Sequence, residues 1–235
     1  MADQKNRYIP ANADAFQYPL PNLARLLRGE GPIRIVAIGS SSTEGEGNIV
    51  PYPSRLKMQL SAKYPNRSIV VVNRGIGGEE ARKEKERMQH DVIAETPVLT
   101  IWQVGANAVW QPGFDLHDVA AAIQEGLSLL AAARPPMDVV LMDLQYAPAL
   151  LTDDNIDATR RMLSLIDQVA TAARVNVFRR FDLMRRFIEA ERHSFDTIID
   201  PADQDRLHQS DFSAGRIGYE LCQTILSAAA LAPAV

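Results

Sequence analysis

The chain reads as an α/β protein: a five-stranded parallel sheet with helices on both faces, in flavodoxin-like strand order 2-1-3-4-5. Three observations carry that expectation. From Ile33 onward, short apolar runs rich in Val and Ile alternate with longer amphipathic stretches. The runs are nearly continuous in hydrophobicity, as strands buried on both faces are. The 235 residues, 46% hydrophobic and 23% charged, are enough for one domain with a sizeable core.

The elements follow in order. Residues 1–31 carry Pro10, Pro19 and Pro21 among scattered apolar side chains. They predict an N-terminal arm that ends in a short helix near Leu23 to Leu27. Residues 32–235 then form the domain. Its strands are expected at Ile33–Ile38, Ser68–Asn73, Val98–Val104, Val139–Met142 and Val175–Phe178. Helical periodicity falls at about 53–63, 79–95, 115–133, 153–173 and 180–192, with a last helix over about 213–230. Right-handed crossovers between parallel strands leave few topologies for this pattern.

Composition excludes several classes of function. A net charge of -4 argues against nucleic acid or an anionic membrane as partner. The arginine pairs 160–161, 179–180 and 185–186 lie in helical patterns rich in Asp and Glu and are expected on solvated faces. A lone cysteine, Cys222, rules out an internal disulfide and reads as a packed thiol. No run of about 18 apolar residues predicts a transmembrane helix. A cytoplasmic location is the default, and an exported or periplasmic one follows if a signal peptide has been removed. His90, His117 and His193 have no ligand-like spacing, so no metal and no cofactor are expected.

The chemistry lies in the loops. Ligands of such sheets bind at the carboxyl ends of the strands, beside the switch point. Gly39-Ser40-Ser41-Ser42-Thr43-Glu44-Gly45 follows strand 1, Asn73-Arg74-Gly75-Ile76-Gly77-Gly78 closes strand 2, and Gly105-Ala106-Asn107 follows strand 3. Asp205-Arg206-Leu207-His208 precedes the last helix. A serine hydroxyl needs a base to take its proton as it attacks, and the base needs an orienting carboxylate. Ser41, His208 and Asp205 supply these three roles. An oxyanion needs preorganised donors, and the candidates are the backbone N–H of Ser41, the backbone N–H of Gly78 and the side-chain amide of Asn107. Trp110 and Phe114 follow in the third loop as candidates for the substrate pocket, whereas Trp102, inside strand 3, is expected in the core.

Each fragment alone has an ordinary reading as a helix cap, a turn or a loop brace. Their joint occurrence, in this order and at these strand ends, points to one site. In these four blocks the chain resembles the SGNH, or GDSL-type, hydrolases. The family's Gly-Asp-Ser-Leu-Thr-x-Gly places the nucleophile on Ser41, and its later blocks fall on Gly78, Asn107 and the Asp205–His208 pair. The resemblance covers about residues 33–225 and implies a three-layer α/β/α fold and a metal-free esterase or lipase activity. Two residues depart from the pattern: Ser40 replaces the usual Asp and Ala108 the Asp that often follows the Asn. The expected function is hydrolysis of a carboxylic ester through an acyl-enzyme on Ser41. The acyl group is expected to be short, with O-acetyl on a carbohydrate favoured because no long apolar lid is evident. An acyltransferase using the same triad and a non-catalytic flavodoxin-like binding domain are the alternatives.

Overall fold

A computed structural model describes residues 15–233; the first part of the expected arm lies outside the described residues. The strands are β1 (Ile33–Gly39), β2 (Ile69–Gly75), β3 (Leu99–Gln103), β4 (Asp138–Met142) and β5 (Asn176–Phe178). They form one sheet in the order β2-β1-β3-β4-β5, every pairing parallel. The register sets Gly39 opposite Gly75, so the first two strands end level at the edge where their loops emerge.

The helices are α1 (Pro21–Arg28), α2 (Ser41–Glu44), α3 (Tyr52–Lys63), α4 (Ala81–Glu86), α5 (Met88–Asp91), α6 (Ala106–Trp110), α7 (Leu116–Ala132), α8 (Ile156–Ala173), α9 (Arg180–Glu189), α10 (Phe195–Ile198) and α11 (Asp211–Ala230). One face of the sheet buries Ile33, Ile35 and Ile101 under Leu23, Leu56, Leu221 and Ile225. The other buries Val36, Ile38 and Trp102 under Met88, Ile123 and Ile166. Alternate residues of one strand thus serve opposite layers, which is why the strands read as continuously apolar. No helix among the described residues is long and apolar enough to cross a membrane.

The helical pattern over 79–95 breaks into α4, α5 and a 3₁₀ turn at Ile93–Glu95. Glu84 of α4 explains the local packing. It is buried and accepts the indole N–H of Trp102 at 2.7 Å. Burial pushes its carboxyl up to about 8, and the Trp102 bond only partly opposes that. Between the ordinary carboxylate value and about pH 8 the folded state therefore holds a proton that the unfolded chain has released. Stability falls as pH rises through that window, by up to about 1.4 kcal/mol per pH unit from this group. Glu84→Gln keeps an acceptor for Trp102 without the charge. Its urea midpoint should gain on the wild type between pH 5 and pH 8.

Candidate active site

The turn that carries Ser41 is built by the chain's own backbone. β1 ends at Gly39, and Ser41 opens α2 as its first residue. The N–H of a first helical residue has no intrahelical acceptor, so that of Ser41 is available to a ligand. Ser41 Oγ lies 2.9 Å from His208 Nε2. The two residues are 167 positions apart, so the fold alone brings them together.

The carboxylate that faces the imidazole is Asp203, in place of the expected Asp205. Asp203 Oδ2 stands 3.2 Å from His208 Nδ1, at an oblique angle that leaves Nδ1 without a linear hydrogen bond. The same oxygen accepts the backbone N–H groups of Leu207 and His208, each at 2.7 Å. Burial works against the charged form of Asp203, but these N–H groups and the imidazole outweigh it and hold the carboxyl below its ordinary value. Asp205 is exposed, and its backbone N–H donates to Asp203 Oδ1 at 3.2 Å. The cause is the turn. Arg206 takes a left-handed conformation, φ 54°, which folds 203–208 back so that Asp203 reaches the ring. A spacing of three favours Asp205; the turn brings Asp203, two residues earlier, to the ring.

The end of β2 and the loop after it are stitched to the turn that carries Ser41. The Asn73 amide donates to the Thr43 carbonyl at 2.7 Å, and Glu44 Oε2 accepts the Gly77 N–H at 2.6 Å. Gly75 lies so close that a Cβ there would stand 2.1 Å from the Glu44 nitrogen. Gly75→Ala should displace this turn and cost at least about 1–3 kcal/mol, read as a lowered urea midpoint. Gly78 has φ +77°, the left-handed region that favours glycine. Asn107 sits buried on α6 and donates one amide hydrogen to the Glu79 carbonyl at 2.7 Å. That bond fixes the amide and leaves its second hydrogen for another acceptor.

Buried polar residues that give no signal in the sequence hold this edge. Gln103, at the end of β3, is 1% exposed; its Oε1 accepts the Ser40 N–H and hydroxyl at 3.1 Å and the Thr43 hydroxyl at 3.3 Å. The Ser40 departure is thus a buried hydroxyl bonded to a buried glutamine. Arg180, expected on a solvated helix face, is instead fully buried at the start of α9. Its guanidinium donates to the Asp143 carbonyl at 3.0 Å, to Gln145 Oε1 at 2.7 Å and to Gln209 Oε1 at 3.4 Å. Burial pulls it down to about 10, so it stays charged at neutral pH. Glu46, half exposed, places Oε2 4.0 Å from His208 Nε2 at the mouth of the site.

Of the two aromatic candidates, Trp110 is partly buried and leans on the apolar cluster beneath α7. Phe114 is 38% exposed and lines a groove. Cys222 is fully buried, and burial pushes its thiol up to about 11, so it is a packing residue. Among the described residues, no three His, Cys, Asp or Glu side chains converge as metal ligands would.

Residues 8–231 match the model of the Non-GDSL lipase-like family. The chain belongs to that family. The family's name agrees with a first block that reads Gly-Ser-Ser-Ser in place of Gly-Asp-Ser-Leu. Among curated proteins, an acetylxylan esterase from Geobacillus stearothermophilus is 37% identical over 81 residues, 33% of this chain. The match spans 37% of that protein's length. Solved structures agree on the fold of this family member. An acetylxylan esterase from Geobacillus stearothermophilus superposes with a TM-score of 0.68 at 19% identity, over 85% of this chain and 95% of that one. A lipase/acylhydrolase from Enterococcus faecalis gives 0.68 at 17%, over 83% and 96%.

Proposed function

We propose that the protein is a serine esterase that removes a short acyl group, acetyl above all, from a carbohydrate. The observation that carries this is the 2.9 Å contact of Ser41 Oγ with His208 Nε2, with the Asp203 carboxylate behind the ring. Membership of a lipase-like family and the acetylxylan esterases among the relatives support the reaction class and the acyl group.

The steps follow from the geometry. Ser41 Oγ attacks the ester carbonyl carbon while its proton passes to His208 Nε2. Asp203 faces Nδ1, selects the tautomer that leaves Nε2 free to accept, and stabilises the imidazolium. The carbonyl oxygen becomes an oxyanion, met by the N–H groups of Ser41 and Gly78 and by the Asn107 amide. Collapse breaks the bond to the alcohol, which leaves with the proton from His208. Water then attacks the acyl-enzyme by the same route, and the carboxylic acid departs.

Two readouts test the proposal. A fluorophosphonate should add one phosphonyl mass on the peptide holding Ser41, and Ser41→Ala should lose the label. p-Nitrophenyl acetate should turn over faster than the octanoate ester. Absence of label on a folded sample would sink the nucleophile; octanoate outrunning acetate would sink the short-acyl assignment.

A further inference from the structure

One groove is not used by the mechanism. It has a volume of about 420 Å³, within the range of small-ligand sites. Phe114 lines it, with Arg82, Lys83, Glu86 and Asp118. It begins where the oxyanion loop ends. Gly78 is the expected oxyanion donor, the Glu79 carbonyl holds Asn107, and Glu80, the next residue, forms the groove wall. Gln111, two residues before the Gly113 that lines the opposite wall, reaches the Gly78 carbonyl at 3.5 Å and so joins the loop leading into that wall to the Gly78 loop.

From this placement we infer that the groove is a binding subsite for a neutral glycan chain that extends beyond the acylated sugar. The inference rests on the reading of Ser41 as the nucleophile of a carbohydrate esterase. Three features select this ligand. Phe114 offers an exposed aromatic face, suited to the C–H face of a pyranose ring. Around it stand hydrogen-bonding side chains of both signs, which match the donor and acceptor character of sugar hydroxyls. Two cations face four carboxylates in the lining, so a polyanionic chain is disfavoured. The walls are also fixed in advance: Glu80 caps α4 through the Arg82 N–H at 3.0 Å, and Asp115 caps α7 through the His117 N–H at 2.7 Å. A preformed groove spends little free energy on ordering when it binds.

Calorimetric titration of the full chain with unacetylated xylotetraose and cellotetraose tests this without any chemistry. Tetragalacturonate is the polyanionic control. At least one neutral tetrasaccharide should bind, and Phe114→Ala should weaken it at least tenfold; Arg82→Ala should weaken it less. In kinetics, the ratio of kcat/KM for an acetylated tetrasaccharide to that for p-nitrophenyl acetate should fall at least tenfold in Phe114→Ala. Binding by neither neutral sugar, binding by the polyanion alone, or a Phe114→Ala variant with unchanged affinity and ratio would overturn the subsite. Binding retained by a protein that turns over no ester would sink the esterase reading and leave the groove standing.

Discussion

Asp203→Ala should lower kcat on p-nitrophenyl acetate by about 10⁴-fold, the loss usual when the orienting carboxylate of a serine triad is removed. Asp205→Ala should stay within a few-fold of the wild type. The contrast follows from the turn over 203–208. Asp203 Oδ2 faces His208 Nδ1 and also accepts the N–H groups of Leu207 and His208. One side chain therefore faces the ring and holds the backbone that carries it. Asp205 points to solvent.

A third variant separates those two jobs. Asp203→Asn keeps an oxygen for the Leu207 and His208 N–H groups but removes the charge that stabilises the imidazolium. Its melting temperature should lie nearer the wild type than that of Asp203→Ala. Its kcat should still fall at least about a hundredfold, because charge developing in the transition state is left without its counter-ion. Equal activity for Asp203→Ala and the wild type, with Asp205→Ala inactive, would restore the assignment that spacing alone suggests.

These residues mark how far the sequence could be read. Strand order was legible because Val36 and Ile38 face one layer and Ile33 and Ile35 the other, so strands buried on both sides carry a continuous apolar signal. The convergence of Ser41 and His208, and the placing of Gly78 and Asn107 in neighbouring loops, were legible because each stands at a strand end or ahead of a helix. The contact of Asp203 with the ring was not, because it goes with the left-handed Arg206, and no local pattern announces that conformation at an arginine. Arg180 was misplaced for a different reason. Helical periodicity and its neighbours in charge predict a solvated face, and only tertiary packing supplies the three buried carbonyl oxygens that hold it. Gln103, Gln145 and Gln209 were invisible for the same reason: a glutamine gives no signal until its partners are known.

Arg180→Lys should lower kcat per titrated active site by about 10–100-fold with little change in KM. Arg180 touches neither Ser41 nor His208, so the expected effect is one of positioning. Its guanidinium donates to the side-chain oxygens of Gln145 and Gln209, which turns both amide nitrogens outward. Gln145 Nε2 then reaches the Leu207 carbonyl at 3.3 Å, one residue before His208. Gln209 Nε2 reaches the Ser42 carbonyl at 3.4 Å, one residue after Ser41. A single buried cation thus orients two amides that hold the loops of Ser41 and His208 in register. Lysine keeps the charge but lacks the planar fork that serves three acceptors at once. A misplacement of about 1 Å between reacting groups costs on the order of 10²-fold in rate. Arg180→Met should also cost about 1–3 kcal/mol in stability, because it strands the buried oxygens of Asp143, Gln145 and Gln209 that the guanidinium serves. Titration of active sites with a fluorophosphonate separates the two effects. A purely structural role would reduce the titrated fraction and the melting temperature and leave the rate per site untouched. Gln145→Met and Gln209→Met should each lose part of the rate. Either change added to Arg180→Lys should cost less than it does alone, since all three act through one hydrogen-bonded unit.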